Sequence, residues 1–139
     1  MIYDDISSTL GRTPLIRLEK LSKELGVNLL VKTESRNPGG SVKDRAAYAM
    51  IDDAEKQGKL KKGMVILEAT SGNTGIALAA IGRSKGYEVE IMMPESMSVE
   101  RRKIIAGFGA KRTLGHVEEG KGGADARAKG LVQKNPGIY

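Results

Sequence analysis

Apolar positions in this chain come in short runs separated by polar, glycine-rich stretches, not in long stripes. Asn28-Leu29-Leu30-Val31-Lys32-Thr33-Glu34, Met64-Val65-Ile66-Leu67-Glu68-Ala69 and Glu88-Val89-Glu90-Ile91-Met92-Met93 have strand length and turn formers at their borders. Lys111-Arg112-Thr113-Leu114 is a weaker fourth run. Between them, Ser41 to about Gln57 reads as a helix closed by Gly58, and Ile76 to about Lys85 as a small-residue helix ending at Gly86. Ser98 to Gly107 is predicted helical with Ile104 and Ile105 on its apolar side, and Gly123 to Gln133 forms a last helix. Alternating strands and helices predict βαβ units around a parallel sheet, with strand 28–34 joining the later strands. In such open α/β sheets the ligand sits beyond the carboxyl ends of the strands. That rule points to loops 70–75, 94–98 and 115–120.

Composition narrows the class. The 139 residues suit one domain, and 40% hydrophobic with 29% charged residues is the balance of a globular protein. Eighteen glycines is close to twice the usual share of about 7% and, scattered as they are, they read as turns and close backbone approaches. The chain has no cysteine, so disulfides, thiolate metal sites and a cysteine nucleophile are excluded. The start, MIYDDISSTL, lacks the basic and apolar regions of a signal peptide, and no apolar run reaches the ~18 residues of a membrane span. A net charge of +6 raises the question of nucleic acid. The lysines are interleaved with acids, however, and neither Lys59-Leu60-Lys61-Lys62 nor Arg101-Arg102-Lys103 has an aromatic platform beside it, so these read as solvated faces. A positive domain also suits a phosphorylated or carboxylate ligand. The single histidine, His116, has no second ligand type nearby, and no metal site is expected.

Two segments carry candidate chemistry. In Asn37-Pro38-Gly39-Gly40-Ser41-Val42-Lys43-Asp44-Arg45, Pro-Gly-Gly is a turn, Ser41 is a fitting N-cap, and Asp44 stands three residues on, close to a capping box. Lys43 then falls in the first helical turn, where the helix dipole disfavours a cation and so favours the neutral amine that a Schiff base requires. The other reading is a solvent-exposed lysine lying along its helix, and this segment alone leaves both open. In Glu68-Ala69-Thr70-Ser71-Gly72-Asn73-Thr74-Gly75 an apolar strand runs into six small polar residues before a helix. Free N–H groups at the helix start, with Ser and Thr hydroxyls, suit a carboxylate, and Asn73 can donate to a ring hydroxyl or phenolate. Farther on, Ser98 reads as an N-cap, and Met97 as core or loop packing.

These motifs together resemble a known family. The Asn37–Arg45 segment resembles the cofactor-lysine segment of fold-type II pyridoxal-phosphate (PLP) enzymes, and Thr70–Gly75 is similar to the asparagine loop of the cysteine synthase (O-acetylserine sulfhydrylase) and cystathionine β-synthase family. Gly11-Arg12-Thr13-Pro14-Leu15-Ile16-Arg17-Leu18 and Met93-Pro94-Glu95-Ser96-Met97-Ser98 match in the same order. The resemblance implies a three-layer αβα fold with a small, mainly parallel sheet, of which this chain is the N-terminal half. Residues 1–36, with early strands near 13–18 and 28–34, would pack on a second domain absent here, and residues 37–139 would form the small α/β domain. It implies an internal aldimine between Lys43 and pyridoxal 5′-phosphate, with Lys43 also the catalytic base, and a hydrogen bond from Asn73 to the ring O3′. Thr70, Ser71, Gly72 and Thr74 would bind the carboxylate of an amino-acid substrate. The implied reaction is β-replacement on an O-acetylserine-like substrate by a sulfur nucleophile, in a cytoplasmic homodimer of cysteine biosynthesis. The glycine-rich phosphate loop and the residue facing the pyridine nitrogen would lie in the missing half, leaving this chain inactive alone. Cystathionine β-synthase and diaminopropionate synthase-like enzymes share both motifs. Serine/threonine dehydratases, whose loop reads Ser-Gly-Asn-His, fit less well, and Thr113-Leu114-Gly115-His116-Val117 is an atypical variant of the family stretch. A non-catalytic module using the 70–98 surface is the reading from a different class.

Overall fold

The computed structural model describes residues 2–70, 72–115 and 120–139. Its strands and helices are β1 (Leu15–Arg17), α1 (Glu19–Leu25), β2 (Leu30–Lys32), α2 (Lys43–Lys56), β3 (Val65–Ala69), α3 (Asn73–Ser84), β4 (Glu88–Pro94), α4 (Val99–Gly107), β5 (Lys111–Gly115) and α5 (Gly120–Lys134). Short 3-10 turns occupy Ile6–Thr9 and Glu34–Arg36.

β3, β4 and β5 lie side by side in that order, all parallel, with Ile66 opposite Val89 and Ile91 opposite Arg112. Side chains alternate across a strand, so Ile66, Val89 and Ile91 share one face. α3 covers that face at close range. A Cβ on Gly82 would lie 2.7 Å from Val89 Cγ2 and 3.2 Å from Ile66 Cδ1, so the missing side chain is what lets helix and sheet approach. α2 and α4 pack beside α3, and Ala47, Ile51, Ala77, Ile81 and Met93 complete the main core. α5 packs on β3 and β4 from the other side, toward Leu67 and Met92. The result is the expected three-layer αβα arrangement with a small parallel sheet.

The strand expected at 28–34 does not join this sheet. It is shortened to β2, which pairs only with β1 and antiparallel, Leu15 opposite Lys32 and Arg17 opposite Leu30. β1 is the nearer partner, reached through a short connection, and the pair stays open on both faces. Helix α1, for which the apolar pattern gave no signal, buries none of its residues and stops at Gly26 in the left-handed conformation (φ 64°). The predicted stops at Gly58 and Gly86 hold, with φ of 67° and 88°. In α4, Ile105 is buried while Ile104 faces outward, so only one of the two predicted apolar positions reaches the core.

The strand order reverses at β3. α3 carries the chain to β4 on one flank, whereas α5 returns it to the other, where Ile138 bridges Val65 in parallel and Leu67 N–H donates to Tyr139 O at 2.8 Å. Such a switch point is where open α/β sheets bind ligands, outside the carboxyl ends of the strands.

Candidate active site

The polar loop after β3 stands at that switch point. Thr70 N–H donates to Met92 O at 3.1 Å, which carries the β3–β4 ladder one residue beyond the strand. Its Oγ1 accepts from Gly72 N–H at 3.4 Å. Gly72 is extended (φ −123°, ψ −158°), and α3 starts immediately after it with no side-chain cap. The helix therefore begins at Asn73, three residues before the predicted start, and Asn73, Thr74 and Gly75 form its first turn. Gly75 permits this: a Cβ there would lie 2.9 Å from Thr70 Cγ2 and 3.2 Å from Ile91 Cγ2, so a larger residue would seat the turn against the sheet only by displacing one of them. Asn73 is exposed, and Thr70 and Thr74 are half-buried. Ser71 lies outside the described residues, as do His116 and most of loop 115–120.

Lys43 opens α2, exposed, with its N–H donating to Ser41 Oγ at 3.2 Å. The capping box predicted from Ser41 and Asp44 does not form. Val42 holds the N-cap position without a side-chain bond, and Asp44 turns back beneath the glycine turn, where Gly39 N–H donates to its Oδ2 at 2.6 Å. The two helices run parallel. Toward their far ends Glu55 of α2 forms an ion pair with Lys85 and accepts a hydrogen bond from Tyr87 Oη at 2.8 Å, and one turn earlier Ile51 lies beside Gly82. Lys43 and Asn73 begin their helices an equal number of residues before that ion pair. The α3 start follows the carboxyl end of β3 directly, with Thr70 and Thr74 on either side of Asn73 in sequence.

A polar network that the sequence reading did not assign fastens the turn before Lys43. Arg45 grips Glu34 with two bonds, Nε to Oε2 at 2.7 Å and Nη2 to Oε1 at 2.9 Å, and reaches Thr13 Oγ1 at 3.1 Å. Thr13 in turn donates to Glu34 Oε1 at 2.6 Å. The buried Asn37 amide donates to Glu34 O at 2.8 Å, Glu34 Oε2 at 2.9 Å and Ser41 O at 3.2 Å, and its Oδ1 accepts Gly11 N–H at 3.0 Å. Arg45 and then Thr13 pull the Glu34 carboxyl from 4.5 to about 2, against the cost of desolvation. Only a charged residue closing strand 28–34 hinted at this cluster. Its members come from three separate segments, which spacing cannot bring together.

Elsewhere, Met97 packs against the core as expected, and Ser98 Oγ accepts Arg101 N–H at 3.4 Å as the N-cap of α4. Arg102, expected on a solvated face, is instead half-buried and donates through Nε to Met97 O at 3.0 Å, holding the 94–98 loop. A cavity of about 470 Å³ lies between β3 and α5, lined by Leu67, Ala69, Asp125, Lys129 and Val132, and it contains none of the predicted site residues. Among the described residues no group of His, Asp and Glu is arranged to hold a metal, and no helix is long and apolar enough to cross a membrane.

Residues 6–139 match the family described as pyridoxal-phosphate dependent enzyme, and the chain belongs to that family. Among its relatives are cysteine synthases. It is 47% identical over 132 residues to cysteine synthase B of Salmonella typhimurium, covering 95% of this chain and 44% of that protein. It is 46% identical over 138 residues to cysteine synthase A of Escherichia coli K12, covering 99% and 42%. Of solved structures, cysteine synthase (OASS) from Entamoeba histolytica superimposes with a TM-score of 0.92 at 43% identity, covering 100% of this chain and 43% of that one. O-ureido-L-serine synthase does so with a TM-score of 0.90 at 44% identity, covering 96% and 42%. The chain thus spans less than half the length of the relatives it matches.

Proposed function

We propose that this chain is the cofactor-anchoring half of a PLP-dependent cysteine synthase, with Lys43 as the residue that holds the cofactor. The observation that carries the proposal is the matched start of the two parallel helices. A primary amine opens α2, and an amide, two hydroxyls and uncapped N–H groups open α3 after the carboxyl end of β3; the matched spacing of both starts from the Glu55–Lys85 pair supports reading them as parts of one site. That donor set fits pyridoxal phosphate and an amino-acid carboxylate. Bound pyridoxal phosphate supplies the electron sink for chemistry at the substrate α- and β-carbons.

Each residue then has a task. Lys43 Nζ bonds to the cofactor and, once released by substrate, takes the proton from the substrate Cα. Asn73 Nδ2 donates to the phenolic oxygen of the cofactor ring. Thr70, Ser71 and Thr74 hydroxyls, with the Gly72 backbone, hold the substrate carboxylate. The substrate in this reading is an O-acetylserine-like amino acid whose β-substituent a sulfur nucleophile replaces, in a cytoplasmic homodimer of the whole protein. The exposed apolar positions of the β1–β2 pair, Leu15, Ile16, Leu30 and Val31, support residues 1–36 as the segment that packs on a second domain. The likeness to O-ureido-L-serine synthase supports a second reading, formation of O-ureido-L-serine in place of cysteine.

The test is spectroscopic. The 139-residue chain mixed with pyridoxal phosphate is expected to develop the visible band of a lysine-bound cofactor, weakly held. Borohydride reduction will fix that cofactor to Lys43, and Lys43→Ala will show no band. A band that survives Lys43→Ala removes Lys43 from its role, and no band in either protein favours a non-catalytic module. Cysteine formation from O-acetylserine and sulfide is expected to be slight beside that of a full-length relative.

A further inference from the structure

The residue next to Lys43 has no part in the reaction just described, yet among the described residues it is the one fully buried acid. Asp44 is 0% exposed. An acid in the first turn of a helix is ordinarily placed to meet solvent or to cap free N–H groups. Asp44 does neither. Its Oδ2 accepts Gly39 N–H at 2.6 Å, and Oδ1 accepts no hydrogen bond among the described residues. A Cβ on Gly39 would overlap Oδ1 and stand 3.1 Å from Cγ, so turn and carboxyl occupy one space between them. The turn is closed on its other side by Gly40 N–H donating to Asn37 O at 2.8 Å, with Gly40 at φ 85°. Burial pushes the Asp44 carboxyl up, and the peptide N–H groups of Gly39, Ser41 and Gly40 pull it down. A buried acid held this way costs more than an apolar residue would, so a packing role alone gives no reason for its chemistry.

Between the two ends of this clasp lie Gly40, Ser41, Val42 and Lys43. We propose that Asp44 is a positioning residue for Lys43, its buried carboxyl clasping the Gly39 amide and thereby fixing the backbone from which the lysine projects. The inference rests on the reading of Lys43 as the cofactor lysine. The lysine side chain is itself exposed, so its aim depends on where the backbone puts it.

Four forms of the full 139-residue chain test this: the parent, Asp44→Asn, which keeps an acceptor for Gly39, Asp44→Ala, which has none, and Gly39→Ala, whose methyl displaces the same carboxyl while residue 44 stays intact. The first readout is amide hydrogen exchange at Gly39 together with the Lys43 Cα chemical shift. The second is the distribution of borohydride-trapped pyridoxal phosphate over the lysines, read by peptide mass. Asp44→Ala and Gly39→Ala are expected to speed Gly39 exchange by about tenfold, the loss of one hydrogen bond to a carboxyl. Both will also shift the Lys43 Cα signal and spread the trapped cofactor to other lysines, and Asp44→Asn will restore all three. Unchanged Gly39 exchange, or unchanged Lys43 signal and labelling in both disruptive variants, overturns the proposal. Failure of Asp44→Asn to restore them also overturns it. If Asp44→Ala does not fold, Gly39→Ala decides alone. If the parent traps no cofactor at Lys43, the functional reading fails, and the exchange and Cα readouts still decide whether the clasp positions the lysine.

Discussion

Replacing Gly75 with alanine sets two effects against each other, and the structure says which wins. Glycine to alanine inside a helix is worth about 1 kcal/mol in favour of alanine. At Gly75 the new Cβ would stand 2.9 Å from Thr70 Cγ2 and 3.2 Å from Ile91 Cγ2, both on residues tied to the sheet. Forcing an extra methyl into such a place costs about 1–3 kcal/mol. The net expectation is a loss of about 1 kcal/mol. The cheapest escape is rotation of Thr70 about χ1, which takes Oγ1 away from Gly72 N–H, so exchange at the Gly72 amide rises as well. Gly130 is the control. It lies within α5 with nothing inside 4 Å of its Cβ position, so Gly130→Ala is expected to gain up to about 1 kcal/mol. Urea denaturation followed by circular dichroism measures both. Thr70→Ser deletes the methyl that is struck, and in that background Gly75→Ala is expected to recover at least about half of its loss. A Gly75→Ala protein that gains stability as Gly130→Ala does would refute the close-approach argument. No recovery in the Thr70→Ser background would refute the part assigned to Thr70.

Acid will loosen the fastening of the Lys43 turn. Glu34 has its carboxyl held down at about 2 in the folded chain against an ordinary 4.5, so its contribution is complete above about 4.5 and is lost as pH falls toward 2. Glu34→Gln is expected to flatten the dependence of the urea midpoint on pH across that window, and a slope equal to the parent's would count against the network. Tyr87→Phe removes the 2.8 Å bond to Glu55, which remains paired with Lys85, at a cost of about 1 kcal/mol in the same urea assay. Burial and then Glu55 raise the Tyr87 phenol above its usual range, so a spectrophotometric titration of the folded protein will lose that raised phenol in this variant. Ile91→Ala, at a fully buried position under α3, is expected to cost about 2–5 kcal/mol.

What could be read from the sequence followed from local physics. β3 and β4 are apolar runs of strand length, and the left-handed glycines 58 and 86 end their helices where predicted. The polar loop after β3 was legible because six small polar residues in succession exceed what a turn needs. What escaped depended on distant partners. Strand 28–34 has the composition of a sheet member, yet the choice between β1 and β3 as its neighbour is settled by chain routing. Asp44 stood at the spacing of a capping box, and only the fold of the glycine turn revealed a buried recess that draws its carboxyl away. Likewise Arg45, Glu34, Thr13 and Asn37 become one network only after α2 is set against the N-terminal segment.

The reversal of strand order at β3 governs when the second flank of that strand can be filled. β3, β4 and β5 join through short crossovers and can assemble as they leave the ribosome. The second flank of β3 waits for the pairing of Val65 with Ile138, a closure across more than half the chain. During synthesis the strand that carries the Thr70 loop therefore has an unsatisfied edge, with Val65 and Leu67 N–H groups lacking the carbonyls of Gly137 and Tyr139 that receive them in the finished fold. An exposed edge of this kind invites pairing with other chains. Between the emergence of β3 and of residues 137–139 that edge is open to pairing with other chains, and a chaperone that covers it then would limit aggregation.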